Sequence, residues 1–455
     1  MEAMEGHSVC LFAHAPNTCE GVMSEQNVVG IGQGCCAVVI GLLFACMVLK
    51  PALAQSQEVW TLERSIQHVL EIAPEVKAAQ AEVNARQGAL SQAGVWPNPE
   101  IELRGDDKIG KDAGTGGVDF TQFVFNQPLP LSGRLDVQRE LARAELHRAQ
   151  AERLYQHLLL EKQVAERFHG FQLAATLLRL AEQRLQLADE LQQAGHRREQ
   201  AGELARLERL RLDLIRESAQ QILDKAEGKF NEALSQFRAY LGLSTETVPD
   251  LVSLELFSPV PVLDTLQAKL SEHPALLSVN YRLNASRARV NLVRKERLPD
   301  PVLRLYREQD FLNGRRQDVN GIGIGFTVPL WDRKSGRLSE ARAQVDETLS
   351  RIQTLKRDLG SRLEQSHLHL NHLVEQGEHY RSHVFNPARM VFDLTRKAYA
   401  AGEVEILALI DANDTYFNAQ ERYLELLQEA WLEAAELRLA AGISLVTTTK
   451  DTDHE

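Results

Sequence analysis

Residues 321–328 read GIGIGFTV, with an apolar side chain at every even position and glycine or threonine at every odd one. Alternate residues of a β-strand point to the same side, so this pattern predicts a strand with one apolar face and one nearly bare face. The apolar face suits lipid and the bare face suits a water-filled lumen. A nucleotide-binding loop would need a third glycine where Phe326 stands. The segment therefore predicts a piece of membrane wall.

The sequence predicts one pair of strands in each half of the chain. The first pair covers 100–104 and 118–127, around the polar segment DDKIGKDAGTGG. The second covers 302–307 and 321–328, around a polar loop at 313–316. Four strands are too few to close a barrel, and every backbone group inside a membrane must be paired. The strands of several copies must therefore join in one barrel, although these residues do not fix the number of copies.

The chain also carries an internal repeat, with an offset of 200 to 203 residues. Such a series of landmarks in the same order indicates a duplication. It predicts a first repeat at 55–248, a linker at 249–262, a second repeat at 263–445 and a polar tail at 446–455. The matching landmarks are Ala73-Pro74-Glu75 with His273-Pro274-Ala275, Pro97-Asn98-Pro99 with Pro299-Asp300-Pro301, Gln127-Pro128-Leu129 with Val328-Pro329-Leu330, Gly133-Arg134 with Gly336-Arg337, and Gly242-Leu243 with Gly442-Ile443.

Long helices fill most of each repeat. Helices are predicted at 75–93 and 275–296, each ending before a proline pair that cannot continue a helix. Residues 133–194 contain no proline, and as one helix they would extend for about 90 Å. Steps of three and four residues indicate a coiled-coil seam, with Arg184 at its one missing position. The seam residues are Leu173, Leu177, Leu180, Leu187 and Leu191.

Composition excludes several classes of protein. The net charge is −12, whereas nonspecific nucleic-acid binding needs clustered positive charge. All five cysteines precede residue 55, which leaves the rest of the chain without thiol catalysis, a cysteine zinc site or disulfides. Only 6% of the residues are aromatic, which favours narrow helical seams over a thick core. Phosphate-loop, zinc-protease and serine-hydrolase motifs are missing, so we expect neither an enzyme nor a cofactor.

Residues 1–54 are predicted to be an export leader with an atypical N-terminal extension. The apolar run 35–49 is followed by Ala52-Leu53-Ala54, which predicts cleavage after Ala54. The run is shorter than the roughly 20 residues of a membrane-spanning helix, so a permanent anchor is the weaker alternative. No Lys or Arg precedes Lys50, which leaves Met23 as an alternative start, and lipid attachment at Cys46 is a further alternative.

The order of the motifs resembles the TolC-type outer membrane efflux proteins over residues 58–445. Each motif is short, and it is their duplicated order that is specific. The motifs are Trp60-Thr61-Leu62-Glu63, Pro97-Asn98-Pro99-Glu100, Gln127-Pro128-Leu129 with Ser132-Gly133-Arg134, the two Ala-Gly-Glu turns, and Ala441-Gly442-Ile443.

The resemblance implies a mostly α-helical chain with a small β part. It implies a homotrimer with a helical periplasmic tunnel and four strands per chain in a shared twelve-stranded barrel, set in the lipid of the outer membrane. Its implied partners are a periplasmic adaptor protein and an inner membrane pump of the RND type. The Pro-Asn-Pro-Glu and Leu-Ser-Gly-Arg segments are most similar to the branch that exports heavy-metal cations.

The resemblance also assigns residues to the inner end of the tunnel. The turns Gly202-Glu203-Leu204 and Gly402-Glu403-Val404 match adaptor-docking turns, and each glycine is expected to adopt a positive φ. Asp411 matches one aspartate of a gating ring, whereas Ala408 replaces the other. Tyr399 matches a latch tyrosine, and Glu208 takes the place of its acidic partner. For Asp411, an ordinary solvated helix position is the alternative interpretation.

One histidine cluster remains, at His367, His369, His372, His379 and His383. Histidines four residues apart can bind a divalent cation, but a built site needs further supported ligands. We therefore expect surface histidines and no metal site. Two other classes of protein were weighed: a periplasmic coiled-coil or adaptor-like protein, which explains the seam but not the strands, and an exported hydrolase, for which no nucleophile is evident.

Overall fold

A computed structural model describes residues 59–105, 122–250, 260–312 and 315–446. The predicted leader, most of the predicted linker and the tail beyond Val446 lie outside the described residues, as does the polar segment of the first strand pair. The domain boundaries therefore stay predictions. Among the helices of the described ranges, none combines the length and the apolar character that crossing a bilayer requires.

Both halves have the same order of elements. The first half contains α1 (Leu62–Ile72), α2 (Pro74–Gln92), β1 (Glu100–Arg104), β2 (Gln122–Pro128), α3 (Arg134–Gln200) and α4 (Arg206–Leu241). The second contains α5 (Leu263–Lys269), a 3₁₀ turn (Leu270–Glu272), α6 (Pro274–Lys295), β3 (Val302–Leu312), β4 (Arg315–Gly325), α7 (Ser335–Tyr380), a π-helical segment (Arg381–Phe385), α8 (Asn386–Ala401) and α9 (Ile406–Ala441).

The helix predictions are confirmed to within a few residues at their ends. Helix α3 is a single helix of 67 residues, about 100 Å long at the usual rise. In the predicted seam, Leu180 and Leu191 are buried. Leu173, Leu177 and Leu187 pack beside Leu180 against Phe417 and Leu424 of α9. The seam thus joins the two halves of one chain.

The strands form one antiparallel sheet in the order β1-β2-β3-β4. Directly paired residues share a face, which collects eight apolar side chains on one side of the sheet. They are Ile101, Leu103, Phe123, Phe125, Leu303, Leu305, Ile322 and Ile324. The other face carries Gly321, Gly323 and Gly325, with the ring of Tyr306 lying across Gly321. The two unlike faces predicted for residues 321–325 are therefore present.

The bounds of β3 and β4 differ from prediction at three points. Strand β3 runs on to Leu312, so Arg315 and Arg316 begin β4 instead of lying in a loop. Strand β4 ends at Gly325, and Phe326–Val328 follow it without strand structure. The reason is the partner strand: β3 begins at Val302, opposite Gly325, and the preceding Pro301 has no N–H to continue the ladder. Among the described residues of this chain, none forms a strand beside the segment past Gly325.

Two of the core clusters lie at corresponding places of the two halves. In the first, Ile66, Phe237 and Leu241 pack with residues of α3. In the second, their counterparts at an offset of 200 are Leu266, Leu437 and Ala441, which pack against α7.

The segment after α9 is fastened to α3. The buried carboxylate of Glu161 accepts hydrogen bonds from the Ser444 hydroxyl at 2.9 Å and from the Leu445 N–H at 2.6 Å. Leu445 and Val446 then pack against the core of the first half. The last described residues of the second half thereby complete the packing of the first.

Candidate functional site: the paired hairpin tips

The two predicted docking turns end helices in the same way. At the first turn, the Gly202 N–H donates to the Glu199 carbonyl at 2.9 Å and the Glu203 N–H to the Arg198 carbonyl at 2.8 Å. At the second, the Gly402 N–H donates to the Tyr399 carbonyl and the Glu403 N–H to the Ala398 carbonyl. This pair of bonds is the Schellman motif, which places its glycine in the left-handed region. The prediction of positive φ is confirmed, at +75° for Gly202 and +77° for Gly402.

Apolar side chains hold the two turns side by side. Leu191 and Leu212 of the first hairpin are buried with Phe392, Ile406 and Leu409 of the second. Leu204 and Tyr399 pack against this cluster. The two tips therefore form one end of the helical part, which the sequence could suggest only through the resemblance.

Both tips leave their turn residues open to a partner. Glu203 and Glu403 are exposed, while Leu204 and Val404 are half-buried. A Cβ atom added to Gly202 or Gly402 would meet no atom within 4 Å. Each tip thus presents an exposed acidic side chain beside a half-buried apolar one, and described residues leave the space at both glycines open.

Tyr399 is tied to the first repeat through a residue that the sequence analysis missed. The Arg198 guanidinium donates to the Tyr399 hydroxyl at 3.3 Å and lies 5.1 Å from the centre of its ring. Among the described residues, the carboxylate of Glu208 makes no hydrogen bond or ion pair, and it is half-buried. The structure therefore pairs Tyr399 with Arg198, and Glu208 stays a predicted gate residue. The only feature of the sequence that could have pointed to Arg198 is its position as a basic residue near the end of α3.

The sequence analysis also missed a group of polar side chains that links the two helices of the first tip. Arg209 donates to the carboxylate of Glu199 at 3.0 Å and also contacts Asp213. Asp213 in turn accepts from Gln192 at 2.9 Å. These bonds tie the last turns of α3 to the first turns of α4 where the chain reverses.

Asp411 and Asp414 have different surroundings on α9. Asp414 accepts from Arg184 of α3 at 2.6 Å, and Arg184 also lies over the ring of Phe417 at 5.7 Å. Asp411 is exposed and, within the described part of the chain, forms no hydrogen bond or ion pair. The arginine at the missing seam position thus pairs with Asp414 and leaves Asp411 without such a partner among the described residues.

The histidines make ordinary surface contacts. His369 Nδ1 lies 3.0 Å from Glu433 Oε2, and His367 Nε2 lies 3.0 Å from the Pro261 carbonyl. The rings of His379 and His383 stack at 4.3 Å. In the described ranges, no group of three or more His, Cys, Asp or Glu residues is arranged to hold a metal ion.

Comparison with known families adds a match over most of the chain. The family model described as "Outer membrane efflux protein" matches residues 65–243 and, a second time, residues 265–443. Each match spans two strands and the hairpin that follows them.

Three relatives of known name match at low identity. The cobalt-zinc-cadmium resistance protein CzcC of Cupriavidus metallidurans is 24% identical over 81% of this chain and 86% of its own length. The nickel-cobalt-cadmium resistance protein NccC of Alcaligenes xylosoxydans xylosoxydans is 23% identical over 64% of this chain and 66% of its own length. The pyoverdine export outer membrane protein OpmQ of Pseudomonas putida is 22% identical over 81% of this chain and 82% of its own length.

Solved structures share the fold. The structure of CusC superposes with a TM-score of 0.67 at 16% identity, covering 84% of this chain and 92% of CusC. The MtrE outer membrane channel of Neisseria gonorrhoeae superposes with a TM-score of 0.70 at 17% identity, covering 86% of this chain and 90% of MtrE.

Proposed function

Because this chain belongs to the outer membrane efflux protein family, we propose that it is the exit duct of a three-part export system that expels heavy-metal cations. The chain is an outer membrane efflux channel with a large periplasmic part, and it is not an enzyme. The observation that carries this conclusion is the double family match, which includes both strand pairs and both long hairpins. A periplasmic coiled-coil protein would not account for a match that includes the strands.

The working unit in this proposal is a trimer with one twelve-stranded barrel. Its support is the sheet itself, which has an apolar face suited to lipid and two edges, β1 and β4, without a neighbouring strand among the described residues. Such edges cannot stay open in a bilayer, where each unpaired backbone group costs several kcal/mol. Three copies of four strands give an even number and a lumen wide enough for solute.

The hairpin tips form the periplasmic entrance in this proposal. The turns at Gly202-Glu203-Leu204 and Gly402-Glu403-Val404 dock on a periplasmic adaptor, which links the duct to an inner membrane pump. Asp411 lines the constriction, where a ring of like charges selects among ions. Tyr399 and Glu208 belong to the gate, with Arg198 holding Tyr399. The contacts of Arg198 and the exposure of Asp411 support these assignments.

Heavy-metal cations are the proposed cargo. Relatives named for resistance to cobalt, zinc, cadmium and nickel support this choice, whereas OpmQ, named for pyoverdine export, represents the organic alternative. The duct is passive because the chain contains no phosphate-binding motif for energy coupling. The energy for export must come from the partner pump.

One complementation experiment tests cargo and docking together. Deleting the gene should raise sensitivity to Zn, Co, Cd or Cu, and the wild-type chain should restore tolerance. The double variant Glu203→Lys with Glu403→Lys should reach the outer membrane but fail to restore tolerance, because it reverses the charge of both tips. Glu246→Lys, an exposed change in the loop after α4, is the control and should restore tolerance. Unchanged metal tolerance with new drug sensitivity would replace the cargo by organic compounds.

A further inference from the structure

One end of the sheet is the place where its strands meet the helical part. Strands β1 and β3 begin at this end and strands β2 and β4 finish there, since Val302 at the start of β3 lies opposite Gly325 at the end of β4. Residues 296–301 connect this end to α6, and residues 326–334 connect it to α7. In the proposed channel the helices are periplasmic, so this end of the sheet lies at the inner leaflet of the outer membrane.

The second half of the chain collects positive charge at this end. This basic corner, residues 294–300 and 331–337, contains six basic and three acidic side chains. Its counterparts in the first half, residues 92–98 and 130–136, contain one of each. The duplicated fold therefore does not require the excess of positive charge. The six basic residues are Arg294, Lys295, Arg297, Arg333, Lys334 and Arg337, all exposed except the half-buried Lys334.

The two parts of the basic corner lie side by side, and most of their positive charge is unpaired. Glu296 and Arg337 line one cleft between α6 and α7. Lys334 pairs with Asp332 at 2.6 Å, and Asp300 pairs with an arginine of α3. Among the described residues, no carboxylate pairs with the remaining basic side chains, which are Arg294, Lys295, Arg297, Arg333 and Arg337.

Large apolar side chains are exposed beside these charges. Trp331 is 91% exposed, the most of any large apolar residue in the described ranges, and Leu298 and Leu330 are exposed as well. Exposed apolar groups of this size mark a surface that meets a partner. Tryptophan is enriched at the boundary between lipid and water, where basic side chains reach the phosphates of the headgroups. An exposed indole among unpaired cations therefore suits a headgroup layer better than a water-filled lumen.

We infer that the basic corner selects anionic phospholipid headgroups from the inner leaflet. Trp331 and Leu298 enter the boundary between headgroups and acyl chains, and the guanidinium groups of Arg297 and Arg337 bind phosphate oxygens, which their planar fork of donors matches. Each basic residue near an anionic surface strengthens the attraction about fivefold. The second half of the chain thus chooses the lipid that surrounds the sheet at this end.

This inference rests on the proposed channel, and quenching of tryptophan fluorescence by brominated lipid tests the two separately. The purified chain is inserted into vesicles of phosphatidylcholine with a minority of phosphatidylglycerol. Bromine is carried on the acyl chains either of the phosphatidylglycerol or of an equal amount of phosphatidylcholine, and it quenches a tryptophan that it contacts. The signal of Trp331 is the difference between the wild type and Trp331→Phe, an exposed change that keeps the other tryptophans.

The expected result is that brominated phosphatidylglycerol quenches Trp331 about fivefold more strongly than the same amount of brominated phosphatidylcholine, which is the preference that one unpaired cation supplies. Trp431, which stacks on His169 between α3 and α9, is the reference and should be quenched by neither lipid. Added salt should lower the ratio in the unsubstituted chain, because it screens exposed charges.

Two charge variants locate the preference. Arg297→Gln with Arg337→Gln should bring the two lipids to equal quenching, because it removes two exposed cations of the basic corner. Arg282→Gln with Arg287→Gln is the matched control, since it removes the same charge from exposed positions of α6 that lie at least about 15 Å farther along the helix. This control should keep the ratio of the wild type.

The outcomes separate the two ideas. Equal quenching in the wild type, or a preference that survives in Arg297→Gln with Arg337→Gln, overturns the inference and leaves the channel standing. Absence of quenching in a chain that conducts ions across the same bilayer does the same, because Trp331 would then not meet lipid. A chain that neither conducts nor floats with the vesicles overturns the proposed channel as well.

Discussion

At the scale of single residues, glycine closes four long helices, but the space around these glycines differs. Gly202, Gly242, Gly402 and Gly442 all have positive φ. Gly402 has open space where a Cβ would stand, whereas at Gly442 the Cβ would lie 2.9 Å from His273 Cδ2 and 3.2 Å from its Cα. His273 cannot retreat, because its ring contacts the Leu439 carbonyl at 3.1 Å and accepts from the Ala275 N–H.

Gly442→Ala should therefore destabilise the protein more than Gly402→Ala. The left-handed conformation alone costs an alanine about 1–2 kcal/mol, and this cost is common to both variants. Only Gly442→Ala adds a collision with His273, so its thermal midpoint in detergent, followed by circular dichroism, should fall further. Equal midpoints would mean that the end of α9 relaxes away from His273 without cost.

The sequence predicted the positive φ of the turn glycines but did not identify the partner of Tyr399. A glycine after a long helical stretch indicates a left-handed cap from local residues alone. The bond from Arg198 joins residues 201 positions apart and depends on how the two tips pack. For the same reason the sequence could not tell that Arg184 would neutralise Asp414 and leave Asp411 free.

At the scale of elements, a buried histidine lies where α3 packs against α9. His169 stacks on Trp431 at 5.1 Å, and its Nδ1–H donates to Gln172 Oε1 at 2.8 Å. In the described part of the chain, its Nε2 has no hydrogen-bond partner. Burial lowers the pKa of His169 from 6.5 to about 4, since the protonated ring would lose its hydration.

This lowered pKa predicts an acid-sensitive helix contact. Between pH 6.5 and 4 the unfolded chain binds a proton at residue 169 that the folded chain does not, so stability falls as the pH falls. The contribution is complete above pH 6.5 and its loss amounts to about 3 kcal/mol by pH 4. His169→Phe, which can still stack on Trp431, should flatten the dependence of the thermal midpoint on pH in this window. His372→Phe, at an exposed position, is the control and should leave it unchanged; an unchanged slope in His169→Phe would contradict the prediction.

The bounds of elements were predictable where local residues set them. The proline pairs after α2 and α6 marked the ends of those helices correctly. Pro387 lies at the start of α8, directly after the π-helical segment Arg381–Phe385, whose wider turn accommodates a residue without an N–H. The end of β4 was missed because it depends on where its neighbour β3 begins, which the sequence of β4 does not contain.

At the scale of the whole molecule, the free carboxylate of Asp411 sets a prediction for the pore. Asp411→Ala should enlarge single-channel conductance in lipid bilayers, because a narrow charged ring is removed from the proposed entrance. Glu405→Ala, an exposed acid just before α9, is the control and should conduct like the wild type. An identical conductance in Asp411→Ala would remove Asp411 from the gate.

The duplicated plan made the mostly helical fold with four strands predictable, since every landmark occurred twice in the same order. The number of copies in the channel did not follow from the residues, because the described part of one chain shows only that β1 and β4 have no further strand beside them. The cargo did not follow either, since a wide duct has no tight pocket whose side chains could identify it.

The hydrogen bonds that Glu161 accepts from Ser444 and Leu445 affect how the chain folds after synthesis. The first half is made early, yet Glu161 obtains its hydrogen-bond donors only when Ser444 and Leu445 have been made. A nascent chain cut short before residue 444 would keep a buried carboxylate without them, at a cost of about 1–3 kcal/mol or more. Periplasmic proteases would therefore meet products terminated before residue 444 in a loosened state.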